Sequence, residues 1–408
     1  MILTHGVGYS QKMIQRTLEK ILRRELSRTP KSILLLGPRQ TGKSTLFKSL
    51  GASAYIDFSD ETTYHDHLKD PALLKAIVAP LPDKAIVVID EVQRLPSILN
   101  TVQSIIDSTS GKSKQFRFLL TGSSARKLRR GNANLLPGRI FLHAMFPLTY
   151  WELSAAGPDK WSLDLALTKG TLPEIYLEDY GAELLGNYIN TYLREEIQAE
   201  ALTRNLSSYA RFLDLAAENS GQITNYSSMA SDSEIPKETL RRFYDVLCDT
   251  LLVHRIPSYT VIKSKRKATQ KEQFIFFDMG VRNAILRKHR NVFTPTELGK
   301  LFEQWMINQV IAFNSYQGKD WLIYFYRDDA KNEVDLIIDV GAKVVAIEIK
   351  YGTSFKLDYI AGLKEFSAVC KKPVDRILIY RGNEKQQREG VDIVPYQVFL
   401  SETIFAIG

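Results

Sequence analysis

Eight residues constrain this chain more than any others. Positions 37–44 read GPRQTGKS, an instance of G-x-x-x-x-G-K-[ST], directly after the all-apolar run at 33–36. The pattern demands a buried strand, a tight loop and the start of a helix. Gly37 and Gly42 let the backbone turn so that successive N–H groups face an anion. The nine residues Gly37, Pro38, Arg39, Gln40, Thr41, Gly42, Lys43, Ser44 and Thr45 are therefore expected to cradle nucleotide phosphates. Lys43 is placed to reach the β- and γ-phosphates, and Ser44 to offer its hydroxyl to Mg²⁺. Such a loop sits at the edge of a parallel sheet. The apolar runs 54–58, 85–89 and 116–120, separated by helical stretches such as 98–108, predict that sheet, covered on both faces.

Two further strand ends carry chemistry. Residues 85–91 read AIVVIDE, a buried strand that ends in two acids beside the phosphate loop. Asp90 is the expected Mg²⁺-side carboxylate, and Glu91 the candidate that orients or deprotonates an attacking water. The 116–120 strand runs into TGSS, where Thr121 or Ser123 is a candidate contact to the γ-phosphate or the water; the same hydroxyls also suit helix capping. Five basic residues and no acidic one lie between Arg126 and Arg139. Arg139, in LPGRI, is the candidate that stabilises transition-state charge, from within the chain or from a neighbouring subunit, with a solvated basic loop as the alternative.

The segments IQRTLEKIL, LLLGPRQTGKSTL, YIDFSDE, the pair Asp70–Pro71, VVIDEVQRLPSIL, LLTGSS, LPGR and FPLTYWEL follow one another in this order. In this the chain resembles a family of prokaryotic predicted ATPases of the AAA+ superfamily. The resemblance implies ATP as the nucleotide. It also implies a C-terminal region of uncharacterised function that contains a winged helix and a restriction-endonuclease-like domain. The expected fold is α/β and multidomain: a P-loop parallel-sheet ATPase domain at 1–160, a helical and winged-helix module at 161–272, and a nuclease-like α/β domain at 273–408.

A length of 408 residues agrees with two or three domains. Apolar residues at 44% and charged residues at 25% exclude a disordered chain. No apolar run approaches the roughly 18 residues that span a bilayer, and the start of the chain has no signal-peptide stretch, so a cytoplasmic protein without a membrane partner is expected. Cys248 and Cys370 lie far apart and away from any ligand cluster, as plain buried thiols would. The net charge of +8 is unevenly spread: residues 1–160 hold 23 Lys and Arg against 13 Asp and Glu, and the remainder 31 against 33. The positive field therefore belongs to the first domain and suits nucleotide phosphates or nucleic acid.

In the middle of the chain, helices are expected at 209–219, at 226–231 and from Pro236 onward. Leu240, Phe243 and Leu247 share one face of the last, leaving Arg241 and Arg242 outward as a recognition helix would. Residues 255–271 hold six basic residues and no acidic one, among them Lys263, Lys265, Arg266 and Lys267. With Arg241 and Arg242 these are the candidate DNA contacts, against the alternative that the module is a lid or a protein contact.

After a helix at 301–313, strands are expected at 321–326, 334–339 and 344–349, the last two joined through Gly341. Asp335 lies on one strand, and Glu348 and Lys350 lie two apart on the next, hence on one face. With Glu303 they resemble the PD-(D/E)xK nuclease pattern, in which carboxylates hold Mg²⁺ and a lysine steadies the attacking water. The leading proline is absent, since Val334 precedes Asp335. The working expectation is an ATP- and Mg²⁺-dependent ATPase, a candidate homo-oligomer, whose nucleotide state controls the modules behind it. The alternatives are an ATP-gated DNA nuclease in defence or repair, and a slowly hydrolysing switch that only binds proteins.

Overall fold

The computed structural model describes residues 14–109, 114–123, 136–193, 206–260 and 271–408. Lys263, Lys265, Arg266 and Lys267 lie outside them, as does most of the basic stretch that precedes Arg139.

Among the described residues the first domain is built on five strands, β1 (Ser32–Leu36), β2 (Ala54–Asp57), β3 (Ile86–Asp90), β4 (Arg117–Gly122) and β5 (Ile140–Ala144), in the order β2-β3-β4-β1-β5 with every pair parallel. In and out alternation is absent from β1: all five of its residues are buried, as a central strand covered on both faces requires. One face packs Leu34, Leu36, Val87, Ile89 and Phe118 against the helix Ile98–Thr109. The other packs Ile33, Leu35, Val88 and Leu119 against Leu18, Leu22 and Leu26 of the helix Thr17–Arg28. The edge strand β5 has no entirely buried residue and leaves Leu142 exposed, a mixed pattern that gives little strand signal in sequence.

The central module carries the helices Leu206–Glu218, Tyr226–Ser233 and Lys237–Asp249. Leu240, Phe243 and Leu247 are buried against Phe212 and Ala216 of the first. An antiparallel pair closes the module, β6 (Val253–Pro257) with β7 (Glu272–Phe276), and Ile223 bridges to Gln273 as a third, minimal strand. Since β7 starts at Glu272, backbone pairing carries this module past residue 272 to Phe276.

The last sheet has six strands among the described residues: β8 (Leu322–Arg327), β9 (Glu333–Asp339), β10 (Val344–Lys350), β11 (Val374–Tyr380), β12 (Gln386–Arg388) and β13 (Val391–Pro395), in the order β12-β13-β11-β10-β9-β8. β8, β9 and β10 are antiparallel, whereas β10, β11 and β13 run parallel. The helix Ala361–Val369 covers one face through Leu363 and Phe366. The 23-residue helix Pro295–Gln317 covers the other and is buried on most of its circumference. That burial follows from its contacts. Tyr150 N–H donates to Gln309 (2.9 Å) from the first domain, Ser220 donates to Gln304 (2.6 Å) from the central module, and Asn308 donates to the Phe276 carbonyl (2.8 Å). Cys248 and Cys370 form no disulfide, as expected, but each is half-buried rather than buried.

Candidate functional site

β1 ends at the sheet's carboxyl edge, and the chain turns there through residues 37–42 into the helix Lys43–Lys48. The turn is compact because its glycines are required. A Cβ at Gly37 would lie 2.6 Å from the Met145 carbonyl oxygen, and Gly42 has φ +93°. Gln40 also takes a left-handed conformation, φ 62°. Lys43 Nζ donates to the carbonyls of Gly37 (2.8 Å) and Pro38 (2.9 Å), and Thr41 Oγ1 donates to Pro38 O (2.9 Å). The lysine is thus buried beside the loop it would serve.

The acids converge on the same edge. Asp90 is buried at the end of β3, where it accepts from the hydroxyls of Thr121 and Tyr55. Glu91 leaves the strand with φ 57°, a left-handed backbone that is costly for a side chain with a Cβ, and its N–H donates to Thr121 Oγ1 (3.1 Å). Its carboxylate accepts from Gln93 Nε2, which also donates to Ser123 Oγ (3.0 Å). Burial raises the Glu91 pKa, an effect opposed by Lys43 across the site and reinforced by Asp90. Glu91 and Lys43 therefore face one another, and Thr121 and Ser123 are drawn into the same network by the neighbouring strand. Sequence reasoning missed Tyr55 and Gln93, whose roles depend on strands that pair only in the fold.

The Tyr55 hydroxyl donates to Asp90 and is near enough to Ser44 to feel its hydroxyl, so Ser44 and Asp90 lie around one group. A hydroxyl and a carboxylate within one hydroxyl group's span are hard oxygen donors of the kind that Mg²⁺ takes alongside phosphate and water, so the residues fit that ion. On the other side of the loop lies a cavity of about 580 Å³. Ile14, Arg16, Leu148, Pro173, Leu177 and Tyr180 wall it, with Gly42, Thr45 and Leu46 as its floor. These walls come from separate segments that share no motif.

Arg139 is elsewhere. Ser32 pairs with Ile140 and Leu36 with Ala144, so Arg139 flanks the amino end of the sheet, while the phosphate loop leaves its carboxyl end. Five residues of strand separate them by about 16 Å. Arg139 forms a two-pronged ion pair with Asp107 (2.6 and 3.1 Å). Of the two expected modes for Arg139, action within its own chain is therefore corrected: the parallel register points it away from its own phosphate loop.

In the last domain the structure brings Glu303, Asp335, Glu348 and Lys350 together. Lys350 Nζ bonds Glu348 and lies 3.8 Å from Asp335, which also accepts from the Ile349 N–H (2.8 Å). Glu303, on the long helix, is raised well above the usual carboxylate range by burial and then by Asp335, with Lys350 opposing. Glu348 is pushed up to about 8, again by burial first and then by Asp335. Burial alone would lower Lys350, but the facing carboxylates override it and its pKa is raised. Glu348 Oε2 is buried with no hydrogen-bond partner. Among the described residues no three His, Cys, Asp or Glu side chains are grouped as a metal site.

On the central module Arg241 and Arg242 are exposed, as expected from their helix. Arg241 lies over the Tyr226 ring (5.0 Å), and Arg255 is held by Asp245 and Glu272. Acids from other elements thus partly neutralise a face that reads as purely basic along 255–271.

Three stretches of the chain match known family models. Residues 29–154 match the family model of an AAA domain, 160–291 a domain of unknown function (DUF8612) and 298–399 another (DUF4143). Uncharacterised proteins of Mycobacterium tuberculosis and Mycobacterium bovis are each 27% identical over 337 residues, 81% of this chain and 72% of the relative. Among solved structures, a Walker-type ATPase of Pyrococcus abyssi shares 15% identity over 68% of this chain and 97% of its own, with a TM-score of 0.46. The ADP form of the Aeropyrum pernix ORC2 protein shares 14% identity over 68% and 95%, with a TM-score of 0.34. The first domain is an AAA-type P-loop domain by its family match, and no helix among the described residues is long and apolar enough to cross a membrane.

Proposed function

We propose that this protein binds ATP with Mg²⁺, hydrolyses it, and uses the nucleotide state to regulate its central and C-terminal modules. The observation that carries the reading is the meeting of Lys43 and Glu91 across one sheet edge, with Asp90 and Ser44 beside them. Lys43 exchanges its carbonyl partners for β- and γ-phosphate oxygens, and the N–H groups of 37–45 follow the phosphate chain. Ser44 and Asp90 would hold Mg²⁺, which offsets charge on the phosphate oxygens when bound. Glu91, kept in place by Gln93, takes a proton from a water as the water oxygen bonds to the γ-phosphorus and the bond to the β-phosphate oxygen breaks. ADP and inorganic phosphate leave. The cavity beside the loop receives the base against Ile14, Leu148 and Leu177. Arg139 is the candidate charge-stabilising group for a neighbouring subunit's site, which makes a homo-oligomer the working form.

For the later modules, a winged helix is supported by the helices between 206 and 249, the β6–β7 pair and the Ile223 bridge, with DNA as the candidate ligand of Arg241 and Arg242. A nuclease-like reading of the last domain is favoured by one specific observation, the buried, unpartnered Oε2 of Glu348 beside Asp335 and Lys350. Incubation of the purified protein with ATP, Mg²⁺ and single- or double-stranded DNA, following phosphate release and DNA integrity together, tests these readings. Phosphate release that rises with DNA favours a DNA-acting ATPase, and Mg²⁺-dependent cleavage the ATP-gated nuclease. Slow release indifferent to DNA favours the protein-binding switch, and no release at all ends the ATPase reading.

A further inference from the structure

Arg16 has no place in the proposed chemistry, yet it is among the most heavily engaged buried charges in the molecule. Its guanidinium belongs to a residue only 7% exposed. Nη1 donates to the carbonyl of Thr41 in the phosphate loop (2.6 Å), and Nη2 donates to the carbonyl of Phe146 just beyond β5 (2.6 Å). Nε lies 3.1 Å from Glu152, whose carboxylate also accepts the Thr17 N–H (2.7 Å) and the Thr149 N–H (3.0 Å). Burial alone would lower its pKa, but Glu152 and the Tyr316 hydroxyl override that and hold it raised. Tyr316 accepts the Phe146 N–H (3.2 Å), and its hydroxyl is close enough to Arg16 for each to shift the other's pKa.

Tyr316 is the last but one residue of the helix Pro295–Gln317, and Glu303 lies thirteen residues earlier on it. At 1.5 Å per residue the two are about 20 Å apart on one rigid rod. One end of that rod touches the buttress of the phosphate loop, and its middle supplies a member of the buried carboxylate cluster. The loop end has two sets of partners to choose between. Lys43 and Thr41 Oγ1 both bond the Pro38 carbonyl, so a lysine drawn to phosphate releases the turn in which Arg16 holds the Thr41 carbonyl. Arg16 cannot follow Thr41 without changing its bond to Phe146, whose N–H Tyr316 holds, or its ion pair with Glu152.

We propose that Arg16 and Tyr316 are positioning residues that couple the phosphate loop to the Glu303, Asp335, Glu348 and Lys350 cluster through the Pro295–Gln317 helix. This rests on the reading that nucleotide binds at the loop. A coupling of this kind is reciprocal, so the cluster must act on nucleotide affinity as nucleotide acts on the cluster.

The test uses the full chain with ADP and Mg²⁺, and two measurements. Hydrogen exchange of residues 333–350 is expected to change about fivefold or more when ADP binds, and calorimetry is expected to show that Glu303→Gln shifts the ADP Kd by a similar factor. In Tyr316→Phe, which removes only the hydroxyl, both responses should fall below about twofold while ADP still binds. Glu152→Gln, which removes the charge facing Arg16 Nε but keeps an acceptor for the Thr17 and Thr149 N–H groups, serves if Tyr316→Phe does not fold. A response in these variants equal to the wild type overturns the coupling, as does a wild type that binds ADP with exchange at 333–350 unchanged. A wild type that binds no ADP overturns the nucleotide reading itself, and is told apart by the calorimetry alone.

Discussion

The two acidic sites of this chain use the same residue types in opposite ways. At the phosphate loop, Lys43 bonds two carbonyls, Asp90 accepts from two hydroxyls and Glu91 accepts from an amide. In the last domain Lys350 bonds the carboxylates themselves. In giving up those two carbonyls for phosphate oxygens, Lys43 trades dipoles for charged acceptors. A cation already paired with buried carboxylates gains little, and any divalent ion must displace it together with the protons that Glu303 and Glu348 retain. The first site is arranged to receive a ligand, and the second is arranged to be neutral by itself.

The largest effect that sharpens this contrast is on turnover. Glu91→Gln should keep nucleotide binding and lower the hydrolysis rate by up to about 10⁴-fold, since only proton transfer is impaired, whereas Lys43→Ala should weaken nucleotide affinity itself. Steady-state phosphate release alongside calorimetric titration separates the two, and an unchanged rate in Glu91→Gln would remove Glu91 from the mechanism.

Next in size, Arg139→Ala should lower turnover by about 10³-fold with nucleotide affinity kept. Because Arg139 points away from its own loop, mixing inactive Arg139→Ala with inactive Glu91→Gln should restore part of the activity. A variant as active as the wild type would leave Arg139 as a surface ion pair with Asp107.

The smallest effect concerns the self-neutralised site. Glu348 keeps its proton in the folded state up to about pH 8, while the unfolded chain releases it near 4.5. The unfolded state therefore binds fewer protons in that window, and this contribution, full below pH 4.5, is lost as pH rises through 8. Its slope is at most about 1.4 kcal/mol per pH unit. Glu348→Gln imitates the protonated form, so the difference in melting temperature between variant and wild type should grow in the variant's favour from pH 5 to pH 8. A constant difference would mean that Glu348 is ionised throughout, and the contrast between the two sites would fail.

Legibility in sequence followed the range of the interactions. The strands at β1, β3 and β4 and the helix at 237–249 are visible because each carries its own apolar pattern over a few residues. Asp335, Glu348 and Lys350 are visible as a group because strand periodicity and a short turn fix which face they share. β5, β11 and β13 escape such a reading, since a half-exposed edge strand and strands interleaved by parallel crossovers carry no local mark of their partners. The basic reading of 255–271 misses Asp245 and Glu272 because the first of these sits on another element and the second lies just past the stretch.

By itself the sequence determined the phosphate loop and the acids at 90 and 91, because a buried strand that ends in glycines or carboxylates dictates its own geometry over fewer than ten residues. Tertiary structure alone decided which end of the sheet Arg139 occupies, since that depends on β5 running parallel to β1. It alone gave Lys350 its carboxylate partners and placed Tyr316 beside Arg16, 300 residues away in the chain. Charge compensation and long-range contact depend on which segments meet, and no local pattern records that.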